Sequence, residues 1–383
     1  CGKISQVKCI FFFLLFLNLR EHPRMMKAVV NRGIKNFAVE QVPIPKPGPE
    51  ELLVKVLRAG ICAGDAKCFQ GAAMFWGDEL RKPYVETPVI PGHEFVAELV
   101  AFGVGAEERF KDLHIGDKVI AEQVVPCQEC LYCRKDLRWL CNPHDIFGFH
   151  RNVNGAFAQY MIFPAKSIVY KLPESMSPQA AVYIEPLSCG VHAASRAKIT
   201  EEDVVVVSGC GAIGLGIVIA AAKRRPKKLI ALDCLDSRLE LAKLCGADLV
   251  LNPLHHKVVD HIKGLTDNYG CDVYIEVSGN PESVIQGIHM IRKQGRFVEF
   301  SVFGKAVTLD WSIIGDTKEL DILGAHCSGL DGYTEAIELI SSGVVPIDKI
   351  VTDTLPLEDV VRGIDMVNAC NSSSIKVSLD PWL

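Results

Sequence analysis

Four cysteines, Cys127, Cys130, Cys133 and Cys141, fall in one short segment with the spacing C-x2-C-x2-C-x7-C. Thiolates so spaced can close a tetrahedron around one zinc ion and leave no coordination position free for chemistry. The pattern predicts a structural zinc site in a lobe of residues 126–142 that braces the fold. A second set is dispersed: Cys62 in Gly-Ile-Cys-Ala-Gly-Asp, the pair His93-Glu94 in Pro-Gly-His-Glu, and Glu185 in Ile-Glu-Pro-Leu. One thiolate, one imidazole and a carboxylate make three protein ligands, with a fourth position left for water or substrate. Taken singly, each of these is equally a core residue, since a lone cysteine beside apolar neighbours is more often packing than ligand.

A third constellation binds phosphate rather than metal. Gly209-Cys-Gly211-Ala212-Ile213-Gly214 follows the apolar run Val204 to Val207 and opens a helical segment. Its amides and the helix N-terminus can hold a pyrophosphate, while the glycines let the backbone approach closely. Such a motif is weak alone. Asp233 strengthens it, standing 19 residues after Gly214 at the end of the next strand. A carboxylate there accepts hydrogen bonds from ribose hydroxyls and repels a 2′-phosphate, so NAD is expected over NADP. Arg238 either lies along the adenosine or is an exposed helix-face arginine. The basic run Arg224, Arg225, Lys227 and Lys228 is interrupted by Pro226 and reads as a solvated helix-to-strand loop.

The elements that must position these groups change character along the chain. Short β-rich runs at Lys27 to Val30, Leu52 to Leu57, Phe95 to Phe102, Lys118 to Val124 and Tyr160 to Phe163 are punctuated by Gly and Pro. They suit a small, partly open β-barrel. From Pro178 a helix to His192 leads into alternating strands and helices: Val204–Val207, Leu229–Leu232, Asp236–Cys245, Asp248–Leu251, Val273–Val277, Pro281–Ile291 and Phe297–Phe300. That alternation predicts a doubly wound α/β unit with a parallel sheet. After the helix Tyr333 to Ser342, the run Ile375 to Leu379 is expected to return to the β-domain.

The 383 residues suffice for two domains, and 49% hydrophobic with 23% charged residues is the balance of a globular protein. A net charge of −5 gives no positive field to recruit nucleic acid or an anionic membrane, so a neutral small molecule is the better expected partner. The fifteen cysteines are scattered over a long chain, which suits reduced thiols and a cytoplasmic setting. The apolar stretch Cys9 to Leu19 is shorter than a membrane span, and no small-residue cleavage site follows it. Residues 1–25 are read as a leader outside the fold, with a targeting element as the minority alternative.

With these residues in view, the chain from Met26 onward resembles the zinc-containing medium-chain dehydrogenases. The matching text is Gly92-His93-Glu94 with Gly103 downstream, the four-cysteine lobe, Gly155-Ala-Phe-Ala-Gln-Tyr160, Glu185-Pro-Leu-Ser-Cys-Gly-Val-His192, and the glycine turn with Asp233. The resemblance implies a GroES-like catalytic domain (residues 26–186 and 329–383) and a Rossmann NAD-binding domain (residues 187–328). It implies two zinc ions per chain, a homotetramer or homodimer, and oxidation of a secondary alcohol. Glu185 stands where alcohol dehydrogenases carry a second cysteine, a feature of the polyol-oxidising branch. Carried over by position, Cys62 and His93 bind the catalytic zinc, Glu94 or Glu185 or both complete its shell, and Asp65 orients the histidine. Nicotinamide contacts fall on Phe300, Ser301 and Val302.

The chain also departs from the pattern. Ala97 replaces a glycine of the zinc signature, and Gly64 replaces the Ser or Thr hydroxyl that relays the substrate proton in many members. The proton is then expected to leave through water held by Glu185 or Glu94. The segment between Cys62 and His93 carries Phe75, Trp76, Lys82 and Tyr84, either a restriction at the pocket mouth or a surface loop with buried aromatics. The rival activities are an L-threonine 3-dehydrogenase and a non-catalytic cofactor-binding structural protein.

Overall fold

The computed structural model describes residues 24–369 and 374–383, so the stretch Cys9 to Leu19 lies outside the described residues. The first strand already begins at Met25, inside the segment read as leader: β1 (Met25–Gly33) pairs antiparallel with β2 (Asn36–Pro43).

The β-domain is built on β3 (Leu52–Gly60), whose alternating burial puts Leu52, Val54 and Val56 inside. It pairs antiparallel with β4 (Glu94–Phe102), which pairs with β5 (Lys118–Ala121). The expected single run Lys118 to Val124 is two strands, because Glu122 and Gln123 interrupt it before β6 (Val124–Val125). Their buried side chains are spent elsewhere, Glu122 on the Tyr170 hydroxyl and Gln123 on Glu185. β6 pairs with β7 (Asp145–Ile146), and between them lies the cysteine lobe. β8 (Tyr160–Phe163) adds to β3, and β9 (Val169–Lys171) to β5.

The second sheet has six parallel strands: β10 (Val204–Ser208), β11 (Lys228–Leu232), β12 (Leu249–Leu251), β13 (Cys271–Glu276), β14 (Ile291–Glu299) and β15 (Asp321–Gly324). Their spatial order is β12-β11-β10-β13-β14-β15. The order reverses between β10 and β13, which is where an open parallel sheet leaves a crevice for ligand. Every residue of β10 is buried, as a central parallel strand covered on both faces requires. The chain then returns: β16 (Val351–Pro356) and β17 (Lys376–Asp380) join the first sheet, β17 lying beside β3.

Helices fix the two units together. The helix expected over Pro178 to His192 is broken into Pro178–Ala181 and a longer helix, Ile184–Arg196. Pro186 explains the break. It has no amide to donate back along a continuous helix, and it fits in the first turn of a new one, where amides have no partner anyway. In chain order the principal helices are α1 (Ala63–Phe69), α2 (Ile184–Arg196), α3 (Ala212–Lys223), α4 (Asp236–Leu244), α5 (Val258–Gly264), α6 (Pro281–Met290), α7 (Gly332–Ser341) and α8 (Val360–Asn368). α2 and α3 cross at glycines: a Cβ on Gly190 would lie 2.5 Å from the Gly216 carbonyl carbon. That close crossing fixes α2, which carries Glu185 in its first turn, on α3. The Tyr183 hydroxyl completes the link by donating to the Ala212 carbonyl at 2.6 Å. Among the described residues no helix is long and apolar enough to cross a membrane.

Candidate active site

Cys62 caps the N-terminus of α1, where its Sγ accepts from the Gly64 amide at 3.3 Å while the Asp65 carboxylate accepts from the Cys62 amide at 3.0 Å. This reciprocal cap fixes both side chains with local hydrogen bonds. His93 precedes β4 and presents its ring to the same point: Asp65 Oδ1 lies 3.5 Å from His93 Nδ1, a buried nitrogen with no closer partner. Glu94 opens β4 and is buried because Gly60, opposite it on β3, leaves the space; a Cβ there would come within 2.2 Å of Glu94 Oε2. Ligand atoms of Cys62, His93 and Glu94 all lie within 4.8 Å of one another. A thiol, an imidazole and a carboxylate gathered in the interior are the donor set of a zinc site with an open position, and they fit the ion.

Burial and charge act against each other here. Burial, and then the Glu94 carboxylate, push the Cys62 thiol up, with His93 and Lys376 opposing. Burial lowers His93, but Asp65 and Cys62 outweigh it and hold the imidazole well above its ordinary value. A cation among these groups would answer the same surplus of negative charge that the imidazolium answers without it.

Glu185 stands beside this group, outside the compact cluster. The Gln123 amide donates to its Oε1 at 2.8 Å and the Cys189 thiol lies 3.5 Å from the same atom. Burial, then the charge of Glu94, raises its carboxyl to about 7. Glu94 has its own strong partner, the buried Lys376 ammonium on β17 at 2.6 and 2.8 Å. Burial opposes that charge, yet Glu94 and Cys62 keep Lys376 above its ordinary value.

Sequence reasoning missed three members of this site. Lys376 sits in a short strand some 280 residues from Glu94, and nothing in the local text separates it from a solvent-facing lysine. Gln123 and Tyr333 were equally silent. The Gln123 side-chain oxygen accepts from the Tyr333 and Ser328 hydroxyls at 3.0 and 3.2 Å, which aims its amide at Glu185. The interruption of the β-run at Glu122-Gln123 was the available signal. The segment after Cys62 forms an apolar satellite of Phe75, Val85, Val89 and Phe149, with Trp76 and Tyr84 partly buried against it. Phe75 stacks on Phe149 at 5.1 Å, and Phe149 in turn lies against the His93 ring. The aromatics are thus a wall of the site. Ala97 is fully buried in β4 opposite Val56 and Val119, where its methyl packs.

The four-cysteine lobe is folded around its own sulfurs. The Cys127 amide donates to Cys141 Sγ at 3.1 Å, the Cys130 amide to Cys127 Sγ at 3.3 Å, and the Cys133 and Asn142 amides to Cys130 Sγ at 3.5 and 3.4 Å. Two of these donors, the Cys133 and Asn142 amides, lower the Cys130 thiol to about 6. All four cysteines are free thiols within 4.8 Å of one another. Cys127 and Cys133 Sγ are 3.9 Å apart, and a zinc tetrahedron with bonds of about 2.3 Å needs about 3.8 Å between sulfurs. The lobe fits a structural zinc.

The glycine turn lies at the end of β10, in the crevice where the strand order reverses. Gly209 has φ 107°, and a Cβ on Gly214 would sit 1.9 Å from the Gly209 carbonyl oxygen, so both must be glycine. A Cβ on Gly211 would meet nothing within 4 Å, which leaves open space over the N-terminus of α3, ahead of Ala212 and Ile213. Asp233, just past β11, accepts from the Cys210 amide of the turn at 2.7 Å and from the Leu235 amide at 2.9 Å. Arg238, on α4, has a buried Nε with no partner. An open glycine, a helix end and an unpartnered guanidinium nitrogen fit a pyrophosphate and the nucleoside it carries. A model of the alcohol dehydrogenase GroES-like domain matches residues 48–174, and one of the zinc-binding dehydrogenase domain matches residues 212–342. The chain belongs to the zinc-containing medium-chain dehydrogenases.

Within that family the chain is 48% identical to an erythritol/L-threitol dehydrogenase of Mycolicibacterium smegmatis over 94% of its length and 98% of that protein. It is 31% identical to a sorbitol dehydrogenase of Bacillus subtilis over 94% of its length and 98% of that protein. A solved zinc-binding dehydrogenase of Sinorhizobium meliloti bound to NADP superimposes with a TM-score of 0.83 at 29% identity, covering 94% of this chain and all of that one. The members of the expected nicotinamide set lie past β14. The Phe300 amide donates to the Glu276 carbonyl at 3.0 Å, the Ser301 hydroxyl accepts from the Gly279 amide at 2.9 Å, and the Val302 carbonyl accepts from Lys67 of α1 at 2.7 Å. The last bond joins the metal-site helix to the Rossmann sheet.

Proposed function

We propose that the chain is an NAD-dependent zinc dehydrogenase that oxidises a secondary alcohol of a C4 to C6 polyol to the ketose. The observation that carries this is the gathering of the Cys62 thiol, the His93 imidazole and the Glu94 carboxylate within 4.8 Å of one another, with a second buried carboxylate, Glu185, beside them. Carboxylates beside the reacting hydroxyl accept hydrogen bonds from a neighbouring one, so a vicinal diol is held in two places and a simple alcohol in one. The printed names of the relatives, erythritol, threitol and sorbitol dehydrogenases, agree with that chemistry.

Cys62 and His93 would hold the zinc, with Glu94 or Glu185 completing its surroundings, and Cys127, Cys130, Cys133 and Cys141 would hold the second, structural ion. When bound, the zinc would supply a Lewis acid for the substrate hydroxyl and the nicotinamide an acceptor for the hydride of the carbinol carbon. Asp65 fixes the His93 ring through Nδ1, and Phe149 packs on its face. The hydroxyl proton passes to Glu185, whose raised carboxyl is poised to take it near neutral pH and whose orientation Gln123 sets. Gly64 offers no hydroxyl for that task. Gly209, Gly211, Gly214, Ala212 and Ile213 form the pyrophosphate cradle. Asp233 selects NAD over NADP, Arg238 lies against the adenosine, and residues Phe300, Ser301 and Val302 border the nicotinamide. The assembly is a homotetramer or homodimer.

A panel of erythritol, both threitols, xylitol, sorbitol, L-threonine, ethanol and 2-propanol, each with NAD and NADP, tests the reading. The polyols with NAD should give the highest kcat/KM. Equal turnover of 2-propanol, or preference for L-threonine, overturns the substrate class.

A further inference from the structure

A third cluster of metal-ligating side chains lies outside both zinc sites. His144 follows the cysteine lobe, and its amide is held to Cys141 Sγ. His326 and Cys327 lie just past β15, where the Ala325 amide still bonds the Glu299 carbonyl of the Rossmann sheet. The two segments meet across the cleft: His144 Nε2 is 2.9 Å from His326 Nε2, and Cys327 Sγ is 3.2 Å from the same nitrogen. Ligand atoms of all three residues fall within 4.8 Å. Their chemistry is unlike the rest of the cleft, with two imidazoles and a thiol and no carboxylate in the group.

We propose that His144, His326 and Cys327 form a third, exchangeable site for a thiophilic divalent cation such as zinc, and that occupancy clamps the two domains together and slows turnover. Tetrahedral zinc with bonds of about 2.0 Å to nitrogen and about 2.3 Å to sulfur sets N···N at about 3.3 Å and S···N at about 3.5 Å. The observed separations, 2.9 and 3.2 Å, need to open by only a few tenths of an ångström. Two imidazoles and a thiolate are a complete protein donor set for zinc with one position left for water. His326 is exposed, which gives the ion an entrance, and the backbone of the other two ligands is fixed. The Tyr84 hydroxyl fixes His144 by donating to its carbonyl at 2.6 Å, and Cys327 is locked in a left-handed backbone conformation at φ 53°.

Binding forms two nitrogen–metal bonds and one sulfur–metal bond, displaces hydrating water, and releases the Cys327 proton to solvent. One ligand comes from the segment just after the lobe and two from the end of the Rossmann sheet, so the ion fixes a separation that cofactor entry and release must change. Cys327 is also close enough to Glu185, His93 and Cys62 to feel their charge, which places the clamp beside the substrate position. The slowing of turnover rests on the polyol dehydrogenase reading; the binding of the ion does not.

Holoenzyme with its resident zinc is dialysed to equilibrium against rising free zinc, and bound metal and polyol oxidation are measured on the same samples. We expect one further equivalent per chain, with turnover falling about fivefold or more as it binds. His326→Gln, on the surface, should keep its circular dichroism and resident zinc yet lose both the extra equivalent and the inhibition, and His144→Gln should do the same. No extra equivalent in the native chain, or one retained in both His326→Gln and Cys327→Ser, overturns the site. An extra equivalent without loss of turnover overturns the clamp. If no polyol is oxidised at all, the dialysis still decides whether the ion binds.

Discussion

The two expected zinc sites are built in opposite ways. In the lobe, four thiols within a 15-residue stretch receive backbone amides, and the neutral peptide dipoles carry the stabilisation of negative sulfur. In the cleft, the donors come from separate segments of the chain, and buried charges stabilise one another: Asp65 with His93, Lys376 with Glu94. A local site depends on loop geometry and is closed. A site assembled from afar depends on the whole fold, keeps a position open, and holds ionised groups that cost stability when any one is removed.

The sharpest contrast comes from replacing one thiol in each. Cys62→Ser should lower kcat/KM for a polyol by about a thousandfold or more, the several kcal/mol that a Lewis acid contributes, while the protein keeps its fold. Cys130→Ser should reverse the pattern, losing one metal equivalent and several degrees of thermal midpoint while retaining most turnover at low temperature. Metal analysis with kinetics and melting curves on both variants separates the roles. Equal loss of turnover in the two would break the distinction.

Lys376→Met removes the counterion from a buried carboxylate and should destabilise the chain by about 3–5 kcal/mol in denaturant unfolding. Adding Glu94→Gln to it should recover part of the loss, since the stranded charge is then gone. A double variant no better than the single one would mean that packing, not charge, is what Lys376 supplies.

Glu122 lies between the two regions, with its carboxyl on the Tyr170 hydroxyl at 2.8 Å and Arg138 and Asp136 of the lobe within electrostatic reach. Burial raises it to about 7 from an ordinary 4.5. The folded form therefore holds its proton through a window where the unfolded chain has lost it. Stability should fall as pH rises from about 4.5 to about 7, by up to about 3 kcal/mol, and stay lower above that. Glu122→Gln should flatten that slope and stabilise the chain at pH 8; unfolding curves at pH 5 and 8 measure it.

What could be read beforehand follows the same division. The lobe was legible because spacing within one loop is itself geometry. The Rossmann unit was legible because strand, glycines, helix and acid follow one another in order, and β10, β11 and α4 start within a residue of where the apolar pattern puts them. Cys62 and His93 stood out through their motifs. Lys376, Gln123 and Tyr333 did not, because each acts through a contact with a residue far away in the chain. Glu94 and Glu185 were both open as the third donor; Glu94 lies within 4.8 Å of Cys62 and His93, and Glu185 stands beside them on the Gln123 amide.

Gly64 gives the smallest expected effect and the finest test of the cleft. A Cβ there would meet Cys62 Sγ at 3.6 Å, His93 Cε1 at 3.9 Å and Phe75 Cζ at 3.9 Å, all ordinary contacts, so serine fits. Serine is also the better helix residue, and Gly64→Ser should change stability by less than about 1 kcal/mol. Its hydroxyl would stand beside the metal ligands and offer the proton path that the native chain lacks. If Glu185 takes the proton, the acid limb of the pH–rate profile reports its carboxyl, at or below about 7 because a nearby cation draws it down. That limb should stay in place in Gly64→Ser and vanish in Glu185→Gln. A limb that moves with the serine, while Glu185→Gln leaves it untouched, would transfer the proton from the carboxylate beside the metal to the first turn of α1.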